Sequence, residues 1–170
     1  MVDVAVEDYM HRYAPDDVRA TVRWLVDNGY ELARSQIDAS DWAASFVYAG
    51  EAEVRIGVER SQWYLDIAPA PGMQPIQYDL LVAASRGHNY WDSFPGVGSD
   101  PPGPARQLPP GLSWRNTLPA VLAWIGRQDV AEAIARVSDQ RYLLMWPESR
   151  KAKQLRRVWR AQGLPLPVRR

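Results

Sequence analysis

"WAASFVYAGEAEVRIGVERSQWYLDI" (residues 42–67) alternates apolar and polar side chains in three successive runs, and the fold follows from that period. Trp42, Ala44, Phe46 and Tyr48 share one face of an extended chain, Gly50 and Glu51 can turn it, and Val54, Ile56 and Val58 return on the same side. Trp63, Leu65 and Ile67 make the third run. Glu53, Arg55, Glu59, Gln62 and Asp66 fall on the opposite face, so one side is directed to a core and the other to water. Tyr30 and Leu32 supply a strand ahead of these, and the pattern predicts an antiparallel meander of three to four strands.

The flanks change to a helical period. Pro15-Asp16-Asp17 sets a proline and two acids at a helix start, Val18, Val22, Leu25 and Val26 share one face, and Gly29 ends the run. That helix is expected to cover the apolar side of the sheet. After Pro69-Ala70-Pro71-Gly72, the residues Ile76, Leu80, Leu81 and Ala84 predict a helix closed by Gly87. Leu118, Val121, Leu122 and Ile125 form a further stripe, with Thr117 as cap and Pro119 tolerable only in a first turn. Asp129 can cap the next helix, whose stripe holds Ala133, Ile134, Val137, Leu144 and Met145; Pro147 interrupts it, and Glu148 to Gln162 reads as a last helix stopped by Gly163. Helix, sheet, helices is the order of an α+β fold, expected as a single domain over 1–163 with a flexible tail at 164–170.

Composition narrows the chemistry. A chain of 170 residues without cysteine has no disulfide framework, thiolate metal site or cysteine nucleophile. The start, MVDVAVEDYMHRY, lacks a basic segment followed by an apolar run, and nothing approaches the roughly 18–20 apolar residues of a membrane span. The expected compartment is the cytoplasm, with no membrane partner. His11 and His88 are too far apart to form a helical metal pair, so neither a metal nor another cofactor is expected. His88 with Asp92 is the sole acid–base pairing the spacing offers, and one His beside one Asp is a common surface arrangement. Gly96-Val97-Gly98 stands between prolines where a phosphate loop would need a strand and a helix, and Gly111-Leu112-Ser113-Trp114-Arg115 lacks the last glycine of a nucleophile elbow. A non-enzymatic protein is the expectation, with a small enzyme of unknown reaction as one alternative.

The zero net charge hides a division. Residues 1–149 carry twelve Arg against twenty Asp and Glu, net −8, whereas residues 150–170 carry eight Lys and Arg and no acid. On a helical wheel Arg150, Lys153, Arg156, Arg157 and Arg160 occupy one side, with Ala152, Leu155, Val158 and Trp159 as an apolar seam opposite. A nucleic-acid-associated protein using this helix is a second alternative, opposed by the acidic body.

"YWDSFPGVGSDPPGPARQLPPG" (residues 90–111) holds six prolines in twenty-two residues. Proline lowers the entropy lost on ordering, so such a segment can be presented in a fixed shape. Tyr90, Trp91 and Phe94 supply aromatic area and Asp92 and Asp100 supply acceptors, a mixture suited to protein contact, and these five residues form the predicted partner-binding site. Trp24, Trp42, Trp63 and Trp124 lie on or beside apolar stripes and are expected in the core or at its margin.

With "GYELARS" (29–35), "EVRIGVERSQWYLDI" (53–67) and "LPPGLSWRNTLPAVLAWI" (108–125), the chain resembles the immunity proteins of bacterial polymorphic-toxin systems, particularly actinobacterial ones. The resemblance spans most of the chain through the order of elements and the texture of its strands, and it carries over no site residue. It implies a protein that binds a cognate toxin domain in the producing cell's cytoplasm and occludes its active site. The acidic body would suit a basic toxin such as a nuclease.

Overall fold

Ala44, Phe46, Tyr48, Val54, Ile56, Leu65 and Ile67 are all buried, so the period of two read from residues 42–67 is the period of a real core face. The computed structural model describes residues 4–40, 42–87, 89–94, 108, 112–126 and 130–166. Strands β1 (Glu31–Ile37), β2 (Ala43–Ala49), β3 (Glu53–Glu59) and β4 (Gln62–Ala68) form an antiparallel meander, and a two-residue β5 (Ile76–Gln77) pairs with β4. The sheet therefore has five strands in the order β1-β2-β3-β4-β5, one more than the upper expectation. Ile76, expected in a helix, instead pairs with Ile67, and helix α3 (Tyr78–Ser85) begins two residues later.

Between Leu32 and Arg34 the β1–β2 register slips by one residue. The bulge lets Leu32 stay opposite Tyr48 on the core face and sets Arg34 opposite Val47 on the outer face. Val47 is itself buried, so the outer face is less polar than its sequence suggests. Arg34 reaches over β2 to Glu53 at 3.2 Å. On the same face the ring of Tyr64 lies across Gly57, its register partner, where a Cβ would collide with the phenol.

Two compact units make up the chain: residues 1–78 with 111–123, and residues 79–110 with 124–170. In the first, α1 (Val4–Tyr13) turns Val6, Tyr9 and Met10 inward, and the Tyr9 ring centroid stands 5.7 Å from that of Phe46. Helix α2 (Asp16–Asp27) buries Val18, Thr21 and Leu25 and ends at Gly29, whose φ of 82° suits a residue without a Cβ. Helix α5 (Trp114–Ile125) starts earlier than expected. Ser113 is its cap, through Ser113 Oγ accepting from Asn116 N at 3.1 Å, and Pro119 lies inside the helix rather than in its first turn. Asp17 completes that end from outside: its carboxylate accepts from Trp114 N at 2.8 Å and Arg115 N at 3.2 Å. An anion on two unpaired amides at a helix N-terminus satisfies both the hydrogen-bond deficit and the dipole.

In the second unit, the single turn α4 (Tyr90–Ser93) precedes α6 (Val130–Met145) and α7 (Arg150–Ala161). Ser149 caps α7 by accepting from Ala152 N at 3.1 Å. Leu143, Ala152 and Trp159 form a buried cluster, against which Leu164 and Leu166 also pack. Leu164 N donates to Trp159 O at 2.9 Å, so the first residues of the expected flexible tail are anchored. Val158, assigned to the apolar seam of α7, is exposed instead. Among the described residues no helix is long and apolar enough to cross a membrane.

Candidate functional site

Helix α4 is a single turn, and its base is tied down by side chains from α3 and α6. Tyr90 is fully buried, and its hydroxyl donates to Asp79 Oδ2 at 2.6 Å. Arg141 Nη1 donates to the same oxygen at 2.9 Å. Gln140, fully buried on the inward side of α6, accepts from Tyr90 N through Oε1 at 2.7 Å and donates through Nε2 to Asn89 Oδ1 at 2.9 Å. Thus the backbone amide that starts the turn and the side chain that follows it are both held by buried groups. The rings of Tyr90 and Phe94 stack at 4.9 Å and 22°, and Phe94 is buried as well.

These contacts redistribute the five residues predicted from sequence. Tyr90 and Phe94 face inward and serve as anchors, because their aromatic area is consumed by each other and by the Asp79–Arg141 pair. Trp91 is half-buried and Asp92 is exposed, so these two are left on the outer side of the turn. Asp100 lies outside the described residues, as does His88, the proposed neighbour of Asp92. Gln140, Asp79 and Arg141, which hold the site, were absent from the sequence prediction. The one signal was a polar pair, Gln140-Arg141, interrupting the apolar stripe of α6.

Burial raises the Tyr90 hydroxyl far above its ordinary value of 10.0, and the adjacent Asp79 carboxylate adds to the rise. The phenol therefore stays a neutral donor at any physiological pH. Among the described residues, Asp79 Oδ1 and Ser93 Oγ are buried and find no hydrogen-bond partner, so the network is incompletely satisfied there. A concavity of about 250 Å³ lies alongside, lined by Ala84, Asn89, Glu132 and Arg136 among others. Among the described residues, no group of three or more His, Asp or Glu side chains is placed to hold a metal ion.

The other unit carries two concave regions of its own. A cleft of about 610 Å³ runs between α1, α2 and the first two strands, with Val6, Met10, Val22, Val26 and Leu32 as apolar wall. A second, of about 480 Å³, is lined by Tyr9, Tyr13, Trp42 and Trp63. Trp42 corrects the expectation of a core ring: it precedes β2 instead of opening it and is 69% exposed.

On α7, Arg156 Nη1 turns back to Pro147 O at 2.7 Å and Lys151 Nζ sits 4.5 Å from the Tyr142 ring centre. Arg150, Lys153, Arg157 and Arg160 remain exposed. The described fold is α+β, built on an antiparallel meander. No family model, curated protein or solved structure matches the chain.

Proposed function

We propose that this chain is an immunity-type binder that recognises a cognate toxin domain in the cytoplasm of the producing cell and covers its active site. The observation that carries the proposal is the mounting of α4: buried hydrogen bonds from Asp79 and Gln140 fix the turn, while Trp91 and Asp92 stay on its outer side. A recognition turn that is rigid before contact loses little conformational entropy on binding. Tryptophan is one of the residue types enriched at interface hot spots. The excess of twenty acids over twelve arginines in residues 1–149 favours a basic toxin, because opposite potentials raise the encounter rate.

The test asks whether the open reading frame beside this gene encodes a protein whose C-terminal domain kills cells. Co-expression with this chain should rescue cells that the toxin alone kills. Trp91→Ala should weaken the purified complex by about 30-fold or more, the loss expected of a hot-spot residue, with an unchanged thermal midpoint. Unfolding of the variant would make Trp91 structural, and failure of rescue would remove the immunity function. The exposed cations of α7 support a second reading, nucleic-acid association. Arg157→Gln with Arg160→Gln should abolish a salt-dependent DNA shift if that reading holds, and no shift at low salt ends it.

A further inference from the structure

The aromatic concavity of the sheet unit has a geometry that selects among ligands. Tyr9 and Tyr13 come from successive turns of α1, Trp63 from β4, and Trp42 from the segment entering β2. The centroids of Tyr9 and Tyr13 are 4.9 Å apart with planes inclined at 51°, and those of Tyr9 and Trp63 are 6.5 Å apart at 59°. Rings tilted in this way form a corner. These three rings are not coplanar, so together they make no flat stacking platform, and their π faces carry partial negative charge.

The rim is built for presentation. Trp42 is 69% exposed and Tyr13 47% exposed, which is expensive for rings of this size unless something covers them. Trp42 is held there by the hairpin joining β3 to β4, since Arg60 N donates to Trp42 O at 3.1 Å. That hairpin is strained: Arg60 and Ser61 have φ of 50° and 65°, a conformation ordinarily given to Asn-Gly. Ser61 and Ser40 lie at the edge of the same concavity and add hydroxyl acceptors.

The charge of the surrounding unit decides the sign of the occupant. Residues 1–78 and 111–123 contain thirteen Asp and Glu against seven Arg, net −6. A corner of π faces on an acidic body attracts a cation, and a guanidinium suits it better than an ammonium because it is planar, weakly hydrated and stacks on rings. The chain already uses this contact internally, with Arg115 5.4 Å above the Trp24 ring.

We propose that the cradle of Tyr9, Tyr13, Trp42 and Trp63 receives an arginine side chain of a basic protein partner. The assignment rests on the reading of the chain as a binder of a basic toxin and names one contact of that binding.

The cradle can be tested without the toxin. N-acetyl-arginine amide and its neutral isostere N-acetyl-citrulline amide are titrated at constant ionic strength into the full chain, and the indole N–H resonances are followed. Saturable shifts at Trp42 and Trp63 are expected for arginine, with citrulline at least about 5-fold weaker. Trp42→Ala should weaken arginine binding by about 5- to 30-fold, and Tyr13→Ala by a smaller factor, both with native dispersion of the remaining resonances. Equal binding of citrulline, the absence of saturable shifts, or shifts indifferent to both substitutions would each overturn the cradle. Such a failure leaves the rescue experiment untouched, and a failure of rescue leaves arginine binding to be read independently.

Discussion

Gln140 shows why single residues escape a reading of sequence. Within the apolar stripe of α6 an amide looks like a break in the pattern, and only its two partners at Asn89 and Tyr90, some fifty residues away, explain its complete burial. Asp79 is similar: beside Leu80 and Leu81 it reads as a first-turn acid, whereas it receives both Tyr90 and Arg141. Tyr90→Phe removes one donor from a carboxylate whose other oxygen finds no partner among the described residues, and it should cost about 1–3 kcal/mol in urea unfolding. Because Tyr90 N keeps its bond to Gln140, the α4 backbone should survive and partner affinity should fall far less than in Trp91→Ala. Trp42 was misplaced for a simpler reason. Alternation alone cannot distinguish the first residue of a strand from the last residue before it, and one step decides whether the ring is paired or solvated.

At the level of elements, the meander was legible because β2, β3 and β4 place apolar side chains at every second position and their connections are too short for anything but antiparallel return. Helix α1 is hard to read from sequence although Val6, Tyr9 and Met10 carry its spacing, since ten residues ending just before Pro15 give a weak periodic signal. Strand β5, with two residues, has no pattern to read, and its existence depends wholly on the neighbouring β4. The β3–β4 hairpin was anticipated without its strain. Ser61→Gly should relieve the positive φ and raise stability by about 0.5–1 kcal/mol, measured as a higher thermal midpoint. If the strained turn is what holds Trp42 in position, the same variant should bind arginine less well, so stability and recognition would move in opposite directions.

For the molecule as a whole, the buried tyrosines set an alkaline limit. Burial pushes Tyr48 up to about 12 and raises Tyr78 and Tyr90 further, against an ordinary value of 10.0 in the unfolded chain. A folded value above the unfolded one means that the native state holds its protons longer. This contribution is therefore complete below pH 10.0 and diminishes from there, being lost for Tyr48 as pH passes about 12. Urea midpoints should fall steadily above pH 10.0. Urea midpoints that stay constant above pH 10.0 would contradict the burial of these three phenols.

The carboxylate of Asp17 finds its two amides only at Trp114 and Arg115, nearly a hundred positions later in synthesis. Residues 79–110 leave for the other unit before the chain returns to finish the first. A ribosome making this protein therefore releases a complete meander early but cannot close the unit around it until α5 has emerged from the exit tunnel. Over that interval the nascent sheet is held by its own hairpins.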